Sequence, residues 1–246
     1  MDMKNIVVVV PSYNNSKWYE RNLAAIISQN YPNYKVIYTD DCSPDGTGEL
    51  VEKYTIKHNQ QNKVKVIRNT ERKGAMCNLY DMIHSCDDND VVVTMDGDDW
   101  FAHSGVLGRV NKEYQDKNVW MTYGSYMDFP GNSRGCCKPY EKTVIDSNSF
   151  RNVPWRASHL RTFYTWLFKK IKKEDFFDQQ GKFLDMAWDL SFMLPCLEMS
   201  GHKHKYIHDM LYMYNNQNPI SDFRVNQNRQ GMLDRWLRTK PRYNRL

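Results

Sequence analysis

A group of carboxylates follows a short apolar segment in the first half of the sequence. Asp96-Gly97-Asp98-Asp99 comes directly after residues 91–95, whose β-branched side chains predict a buried strand. Like charges at such a place repel one another and raise their pKa values unless a cation compensates them. Carboxylate oxygens suit Mg²⁺ or Mn²⁺, which proteins hold together with substrate phosphates. The cluster therefore predicts a divalent metal site that stabilises a diphosphate leaving group, with an acidic surface turn as the alternative.

Polar segments follow each of four predicted strands. The strands are predicted at residues 6–10, 35–39, 64–68 and 91–95, with helices between them at 18–29, 47–58 and 75–85. The polar segments are residues 12–15, 40–45, 68–74 and 96–99. Alternating strands and helices are typical of a doubly wound α/β sheet, in which ligands bind at the carboxyl ends of the strands. We therefore expect the four polar segments to converge on one site.

The second half of the sequence is less regular. Strands are predicted at residues 119–126 and 205–214, and a helix at 185–199, in which Pro195 is expected to produce a kink or bend. No segment has the composition of a linker to a second domain. We predict a single domain over residues 1–215, with a nucleotide-binding half (1–100) and an acceptor-binding half (101–215). A basic C-terminal extension follows over residues 216–246.

Four motifs in this order resemble the nucleotide-binding half of family 2 glycosyltransferases with the GT-A fold. They are Val9-Val10-Pro11-Ser12-Tyr13-Asn14, Asp40-Asp41-Cys42-Ser43-Pro44-Asp45-Gly46-Thr47, Gly74-Ala75 with Asn78, and the acidic cluster. The resemblance implies a GT-A-like mixed sheet with helices on both faces. It also implies a metal-dependent, inverting transfer of a sugar from a UDP-sugar to a hydroxyl acceptor on a glycan, lipid-linked sugar or protein. The Gln-x-x-Arg-Trp motif of processive members is absent, since the nearest glutamine before Arg235-Trp236 is Gln230. Transfer of single sugars is expected.

The resemblance assigns a donor site to residues of the polar segments. The ring of Tyr13 packs against the base beside Pro11, and Asp41 accepts a hydrogen bond from the uracil N3–H, which favours uridine. Asp96 contacts the ribose or the donor sugar. The other residues implied in donor binding are Asn14, Arg72, Lys73 and Asp99.

The metal ligands implied by the resemblance are Asp98 and Asp96, with Asp99 beside them. His208, on the predicted strand at residues 205–214, is the candidate for an additional ligand. A lone histidine is more often structural, and that alternative stays open. Either Mn²⁺ or Mg²⁺ suits these ligands.

The resemblance also implies a late catalytic carboxylate, for which Asp189 and Asp185 are the candidates. Asp189 precedes Leu190-Ser191-Phe192 as in the family's acidic pair, although Trp188 stands where the family has the first acid. In an inverting enzyme this carboxylate is the general base that takes the proton of the acceptor hydroxyl. A spacing of four residues places both candidates on one face of the predicted helix. The alternative role for Asp185 is to cap that helix.

Arg156, His159 and Arg161 lie in an aromatic segment of the second half. They either bind the diphosphate or the acceptor, since arginine pairs with phosphate and aromatic faces stack on sugars, or belong to an aromatic core with solvated arginines. Trp100, directly after the acidic cluster, is the candidate floor of the acceptor site.

The composition limits the function classes. The chain of 246 residues has a net charge of +5, and the excess includes a basic stretch at residues 235–246. This stretch is either a contact for phosphates or a peripheral membrane surface, or a solvated, frayed terminus. The six cysteines match no zinc site or disulfide framework. With no signal peptide or transmembrane segment in the sequence, we expect a cytoplasmic protein, with membrane-surface association through the tail as an option.

Two other function classes are compatible with parts of the sequence. A sugar nucleotidyltransferase also combines an α/β sheet with metal carboxylates, but residues 12–17 contain no glycine for a phosphate loop. A non-enzymatic module that binds polyanions or sugars fits the basic tail. No nucleic-acid-binding motif is present, so nucleic acid is not an expected partner.

Overall fold

A computed structural model of the protein describes residues 2–220 and 222–246. Met1, in the predicted domain, and Ser221, in the predicted extension, lie outside the described residues. The strands are β1 (Ile6–Ser12), β2 (Tyr34–Asp40), β3 (Val64–Arg68), β4 (Val91–Thr94), β5 (Trp100–Phe101), β6 (Met121–Phe129), β7 (Thr162–Tyr164) and β8 (His204–Asn215). The α-helices are α1 (Tyr19–Ile27), α2 (Thr47–Lys57), α3 (Ala75–His84), α4 (Val106–Glu113), α5 (Lys142–Asp146), α6 (Thr165–Lys169), α7 (Trp188–Ser200), α8 (Asp222–Val225) and α9 (Gln227–Thr239).

The strands form one mixed sheet in the order β3-β2-β1-β4-β7-β6-β8-β5. β1 pairs in parallel with β2 and β4, and β2 with β3, so these four strands end at the same edge. β7 joins β4 and β6 in antiparallel pairs. β8 then runs parallel to β6 and antiparallel to β5. The predicted α/β class with a mixed sheet is confirmed, and the polar segments after β1 to β4 share one edge.

Helices cover both faces of the sheet because side chains of a strand alternate between its faces. On β1, Val7 and Val9 pack with α3, α6 and α7, whereas Ile6, Val8 and Val10 pack with α1, α2 and α4. A strand with two buried faces reads as a continuous apolar run, which is what this segment of the sequence shows. The prediction of helices on both faces is confirmed.

Helix α7 is buried on nearly all sides, and Asp189 is its one partly exposed residue. The helix continues through Pro195 to Ser200. Its start differs from the prediction, because Ala187 adopts a left-handed conformation with φ of 51° and the helix begins at Trp188. Asp185 therefore precedes the helix, and the expectation that it shares a helical face with Asp189 is wrong. The capping role also fails, because no side chain caps α7.

The C-terminal segment packs onto the domain around a buried ion pair. Arg151 donates from Nε and Nη2 to the two carboxylate oxygens of Glu198, at 2.5 and 2.9 Å, and from Nη1 to the carbonyl of Leu237 at 2.6 Å. The backbone N–H of Tyr243 donates to Glu198 Oε2 at 3.0 Å. The basic side chains that donate to backbone carbonyls of the domain are Arg238, Lys240, Arg242 and Arg245. The frayed-terminus interpretation is therefore wrong for these residues.

In the described part of the chain, no helix combines the length and apolar character needed to cross a bilayer.

Loss of the Arg151 cation should destabilise the whole fold. Glu198 is fully buried, so Arg151→Met leaves an uncompensated charge, and we expect the free energy of unfolding to fall by about 3–5 kcal/mol. Urea unfolding measures this difference. The matched control is Arg68→Met, which removes exposed ion pairs to Glu49 and Glu52 and should cost about 0–1 kcal/mol. Equal losses in the two variants would contradict a central role for the buried pair.

Candidate active site

The acidic turn after β4 is fixed by its neighbours. The side-chain amide of Asn22 in α1 donates to the carbonyls of Asp96 and Asp99, at 3.1 and 2.7 Å. A Cβ atom on Gly97 would lie 2.6 Å from Ser12 Oγ and equally close to the amide nitrogen of Asn15. Only glycine therefore allows this turn to pack against the end of β1. The packing places the acidic cluster beside the first polar segment, as the sequence predicts.

Two of the cluster's carboxylates are held from the end of β8. Asp99 is buried and accepts bonds from the Tyr212 hydroxyl at 2.6 Å and the Asn215 backbone N–H at 2.7 Å. Burial, followed by the charges of Asp98 and Asp96, raises the pKa of Asp99 well above its usual range. Burial also raises the pKa of Asp98, although the Asn218 side chain donates to Asp98 Oδ2 at 2.7 Å. The sequence analysis missed Asn215 and Asn218. Their signal was a fifth polar segment directly after a predicted strand.

A possible cation site combines the acidic turn with a histidine from the second half. Among residues 2–220 and 222–246, carboxylate oxygens of Asp96 and Asp99 and a ring nitrogen of His159 all lie within 4.8 Å of one another. His159 is buried and stacks on Tyr212, with ring centroids 4.3 Å apart. Burial, and then the charge of Arg161, lowers the pKa of His159 well below its usual range. The imidazole is therefore neutral, which is the form that binds metal ions. Two carboxylates and a neutral imidazole suit a divalent cation. These ligands do not distinguish one divalent metal from another.

The structure places His208 elsewhere. It is exposed on β8, and its Nε2 lies 3.2 Å from Nη1 of Arg134. Within the described residues, His208 is not part of the group around Asp96. The histidine that the sheet brings to the acidic turn is His159, which the sequence analysis had assigned to diphosphate or acceptor binding.

Asp41 lies at the end of β2, where hydrogen bonds hold it as a carboxylate. Its Oδ1 accepts from Asn69 Nδ2 at 2.8 Å and the Lys73 N–H at 2.9 Å, and its Oδ2 accepts from the Gly74 N–H at 2.8 Å. Burial raises the pKa of Asp41, but the nearby Asn78 amide and the hydrogen bonds from Lys73, Asn69 and Gly74 outweigh it and the pKa is lowered. Since a carboxylate oxygen accepts two bonds, Oδ2 has capacity for one further donor.

The other predicted base-pocket residues lie around the ends of β1 and β3. The guanidinium carbon of Arg72 lies 3.9 Å from the ring centroid of Tyr13. Arg72 therefore covers this face of the Tyr13 ring, and a base could stack there only beside the guanidinium or in its place. Pro11 is buried within β1, and the backbone N–H of Asn14 donates to Ser43 Oγ at 3.0 Å. The Lys73 ammonium points to Asp81 at 3.9 Å.

On the opposite side of the acidic turn, Asp189 lies in the first turn of α7. Its Oδ2 lies 3.2 Å from Nη2 of Arg161, and the same Nη2 is 3.1 Å from Nε2 of His159. His159 Nε2 is in turn 3.9 Å from Asp96 Oδ2. A continuous row of side chains therefore joins the acidic turn to Asp189. Asp185 is outside this row and forms an exposed bidentate ion pair with Arg229 at 2.9–3.2 Å.

Two further expectations for the acceptor side need correction. Arg161 is only 3% exposed, so the alternative of solvated arginines does not apply to it. Trp100, predicted as the floor of the acceptor site, is buried because the guanidinium of Arg21 lies 3.7 Å from its ring centroid and Phe129 packs against it. The Trp100 ring face toward Arg21 is thus already covered.

Stability should depend on pH through Asp41. In Asp41→Asn an amide N–H₂ group replaces one carboxylate oxygen and faces either the Gly74 N–H or the donors of Lys73 and Asn69, so we expect a loss of about 1–3 kcal/mol at neutral pH. The folded-state pKa of Asp41 is lowered. Its contribution is therefore full above the unfolded pKa of about 3.9 and is lost as the pH falls through the folded value. Urea unfolding of wild type and variant should show a gap that narrows below about pH 4.

The control for this measurement is Asp81→Asn, which changes an exposed carboxyl and should have little effect at any pH. If the difference in the free energy of unfolding between wild type and Asp41→Asn stays constant into the acid range, Asp41 is not held as an ionised, hydrogen-bonded carboxylate.

Comparison with known proteins places these features in a family. The sequence profile of Glycosyl transferase family 2 matches residues 7–180, more than half of the chain. Glycosyltransferase GlyG of Streptococcus pneumoniae is 28% identical over 222 residues, which cover 85% of this chain and 70% of GlyG. Three solved structures share the fold. The crystal structure of Staphylococcus aureus TarS matches with a TM-score of 0.67 at 21% identity, over 87% of this chain and 37% of that one.

The structure of TarS 1-349 in complex with UDP-GlcNAc matches with a TM-score of 0.64 at 19% identity, over 88% of this chain and 59% of that one. The mannosyltransferase PcManGT from Pyrobaculum calidifontis, in complex with GDP-Man and Mn²⁺, has a TM-score of 0.58 at 20% identity, over 90% and 59% of the two chains. This chain thus spans less than two thirds of the solved chains, and at these identities the likeness shows the fold. The family match excludes the nucleotidyltransferase and non-enzymatic alternatives. The chain belongs to glycosyl transferase family 2 and is a glycosyltransferase with the GT-A fold.

Proposed function

We propose that the protein transfers single sugars, with inversion, from a UDP-sugar to a hydroxyl group of a glycan, a lipid-linked sugar or a protein. The observation that carries the proposal is the row Asp96–His159–Arg161–Asp189, which joins the acidic turn to a carboxylate on the acceptor side. Transfer between two substrates requires donor-binding groups and an acceptor-activating group side by side in one site.

The preference for uridine rests on Asp41. Its Oδ2 has capacity for one more hydrogen bond and the carboxylate is ionised, which suits the N3–H donor of uracil. Cytosine presents an acceptor at N3 and would face the carboxylate unfavourably. The likeness to TarS in complex with UDP-GlcNAc supports this donor class, whereas the likeness to PcManGT with GDP-Man makes guanosine the alternative that an experiment must test.

In the proposed reaction Asp189 is the general base. It takes the proton of the acceptor hydroxyl while that oxygen forms a bond to the anomeric carbon. The bond from the anomeric carbon to the diphosphate oxygen breaks, and UDP leaves with the electron pair on the opposite side, which inverts the configuration. Asp189 is suited to this role because its side chain is partly exposed, at 17%, and is held through one oxygen by Arg161.

A divalent cation, Mn²⁺ or Mg²⁺, would supply charge stabilisation for the diphosphate leaving group. The residues proposed to hold it are Asp96 and Asp98, with Asp99 and His159 beside them. The ligand atoms of Asp96, Asp99 and His159 lie within 4.8 Å of one another, and Asp98 is not part of that group among the described residues. The Asn218 amide orients Asp98 Oδ2. Nε2 of His159 has one lone pair, which accepts from Arg161 in this structure, so a cation at Nε2 would replace that hydrogen bond.

Nucleotide binding tests the donor assignment. We expect UDP with Mn²⁺ to raise the melting temperature more than GDP or CDP with Mn²⁺, because a ligand that binds only the folded state stabilises it by about 2.7 kcal/mol at a hundredfold excess over Kd. A thermal shift assay with each nucleotide, with and without Mn²⁺, measures this. A shift with GDP alone would overturn the role of Asp41, and no shift with any nucleotide would contradict the donor site.

Matched variants identify the groups responsible for these shifts. Asp98→Asn and His159→Gln should remove the increment that Mn²⁺ adds to the UDP shift, whereas His208→Gln should retain it. If only His208→Gln loses the increment that Mn²⁺ adds to the UDP shift, His208 and not His159 would be the metal ligand.

Turnover tests the base. Asp189→Asn should lower the rate of sugar transfer by about 10²–10⁴-fold, because the amide cannot accept the proton, with the UDP thermal shift unchanged. Release of UDP from a UDP-sugar measures the rate. Asp185→Asn is the control and should retain most of the activity, since Asp185 pairs with Arg229 outside the pocket. Loss of UDP binding in Asp189→Asn, or equal loss of rate in both variants, would count against the assignment.

A further inference from the structure

Two arginines are almost fully buried, and their hydrogen bonding differs. Arg151 uses Nε, Nη1 and Nη2 to bond Glu198 and the Leu237 carbonyl. Arg161, which is 3% exposed, bonds through Nη2 alone, to Asp189 at 3.2 Å and His159 at 3.1 Å. Its Nε and Nη1 are buried and have no hydrogen-bond partner among the described residues.

This difference has an energetic meaning. A buried donor without an acceptor costs about 1–3 kcal/mol, and native structures rarely tolerate one without a reason. An arginine retained for folding alone would be placed like Arg151, where every nitrogen has a partner. Arg161 instead donates to Asp189 and His159 from Nη2, while its own Nε and Nη1 have no acceptor among the described residues.

The backbone of Arg161 is fixed to the donor side of the pocket. Its carbonyl accepts the Thr94 N–H at 3.2 Å, at the end of β4 and two residues before Asp96. From there the side chain reaches the first turn of α7, where the guanidinium lies 5.4 Å from the centroid of the Trp188 ring. Burial lowers the pKa of Arg161, but Asp189 and then Asp96 raise it by more, so the group stays charged. Arg161 thus connects the strand that carries the acidic turn to the helix that carries Asp189.

We propose that Arg161 is a positioning residue for Asp189. Its Nη2 carries two hydrogens, so one N–H can hold Asp189 Oδ2 while the other is donated to His159 Nε2. The bond to Oδ2 fixes the carboxylate relative to β4 and leaves Oδ1 to take the acceptor proton. The proposal rests on the proposed function, in which Asp189 is the general base. A misplacement of a catalytic group by about 1 Å can cost about a hundredfold in rate, which is the scale of the effect expected when this bond is lost.

A double-mutant cycle tests the proposal. Wild type, Arg161→Gln, Asp189→Asn and the double variant are compared in the release of UDP from UDP-glucose, UDP-galactose, UDP-GlcNAc or UDP-GalNAc, whichever the wild type cleaves fastest. Arg161→Gln should lower kcat by about 10–100-fold and leave KM for the donor within about twofold, because the donor contacts are intact. In the Asp189→Asn background the same change should cost nothing further, since groups that act as a unit are not additive. Arg161→Lys should recover part of the rate by restoring one charged donor.

The matched control is Arg151→Lys, a substitution of the other buried arginine. It should lower the melting temperature but leave kcat per folded molecule unchanged. If Arg161→Gln does not fold, Arg161→Lys in both backgrounds provides the comparison with a smaller expected loss of kcat, because lysine keeps one charged donor.

The outcomes separate this proposal from the proposed function. Additive losses from Arg161→Gln and Asp189→Asn, or a loss confined to KM, would overturn the positioning role while the base assignment stands. An Asp189→Asn variant that turns over normally would remove the base assignment, and the proposal with it. If the wild type binds UDP but cleaves none of the four UDP-sugars, that result would likewise count against both the base assignment and the positioning role.

Discussion

Burial of negative charge at one edge of the sheet is the constraint on which the rest of this structure depends. The parallel strands β1, β2 and β4 end together, and the polar segments after them bring several carboxylates into a small volume. Each carboxylate has its own compensation. Asp41 is held by backbone N–H groups, Asp98 and Asp99 by side-chain and backbone donors after β8, and Asp189 by a buried guanidinium. An incompletely compensated carboxylate at such depth is costly, and the cost appears as a raised pKa, as it does for Asp98 and Asp99.

This compensation explains why the second half of the chain is irregular. Tyr212 and Asn215 lie at the end of β8 and Asn218 follows it, while His159 and Arg161 precede the three-residue strand β7. These residues meet the acidic turn only because β7 inserts beside β4 and β8 lies two strands further along the sheet. The first half of the domain supplies the carboxylates of the acidic turn, and the second half supplies the hydrogen-bond donors that lower the cost of burying them.

The elements that depend on local pattern could be predicted from the sequence, and those that depend on distant pairing could not. β3 was predicted with its observed bounds, and β1, β2, β4 and α1 to α3 within a few residues, because apolar, β-branched runs mark the strands and helical spacing marks the helices. β5 and β7 have two and three residues, too few to show any period. The start of α7 was placed too early because a left-handed Ala187 leaves no signature in composition.

The same distinction applies to the site. The polar segments correctly predicted the sheet edge at which they meet, since each follows a strand with a clear pattern. The choice between two histidines could not be made locally. His208 lies on a strand with a strong pattern, whereas His159 belongs to a segment whose position is set by sheet order. Likewise, the pairing of Arg161 with Asp189 joins residues 28 positions apart in sequence and follows from tertiary packing alone.

The hydrogen bonds of Asp41 have a consequence for engineering the donor preference. The carboxylate that is suited to read the base also fixes the β3–α3 connection, through Asn69, Lys73 and Gly74. A substitution of Asp41 chosen to bind another nucleobase would also remove the hydrogen bonds that hold this loop, including the bond to Gly74, which has a positive φ and directly precedes α3. If Asp41 reads the base as proposed, base selectivity and loop architecture are encoded in one side chain. Redirecting such an enzyme to a new nucleotide would then require the loop to be redesigned together with Asp41.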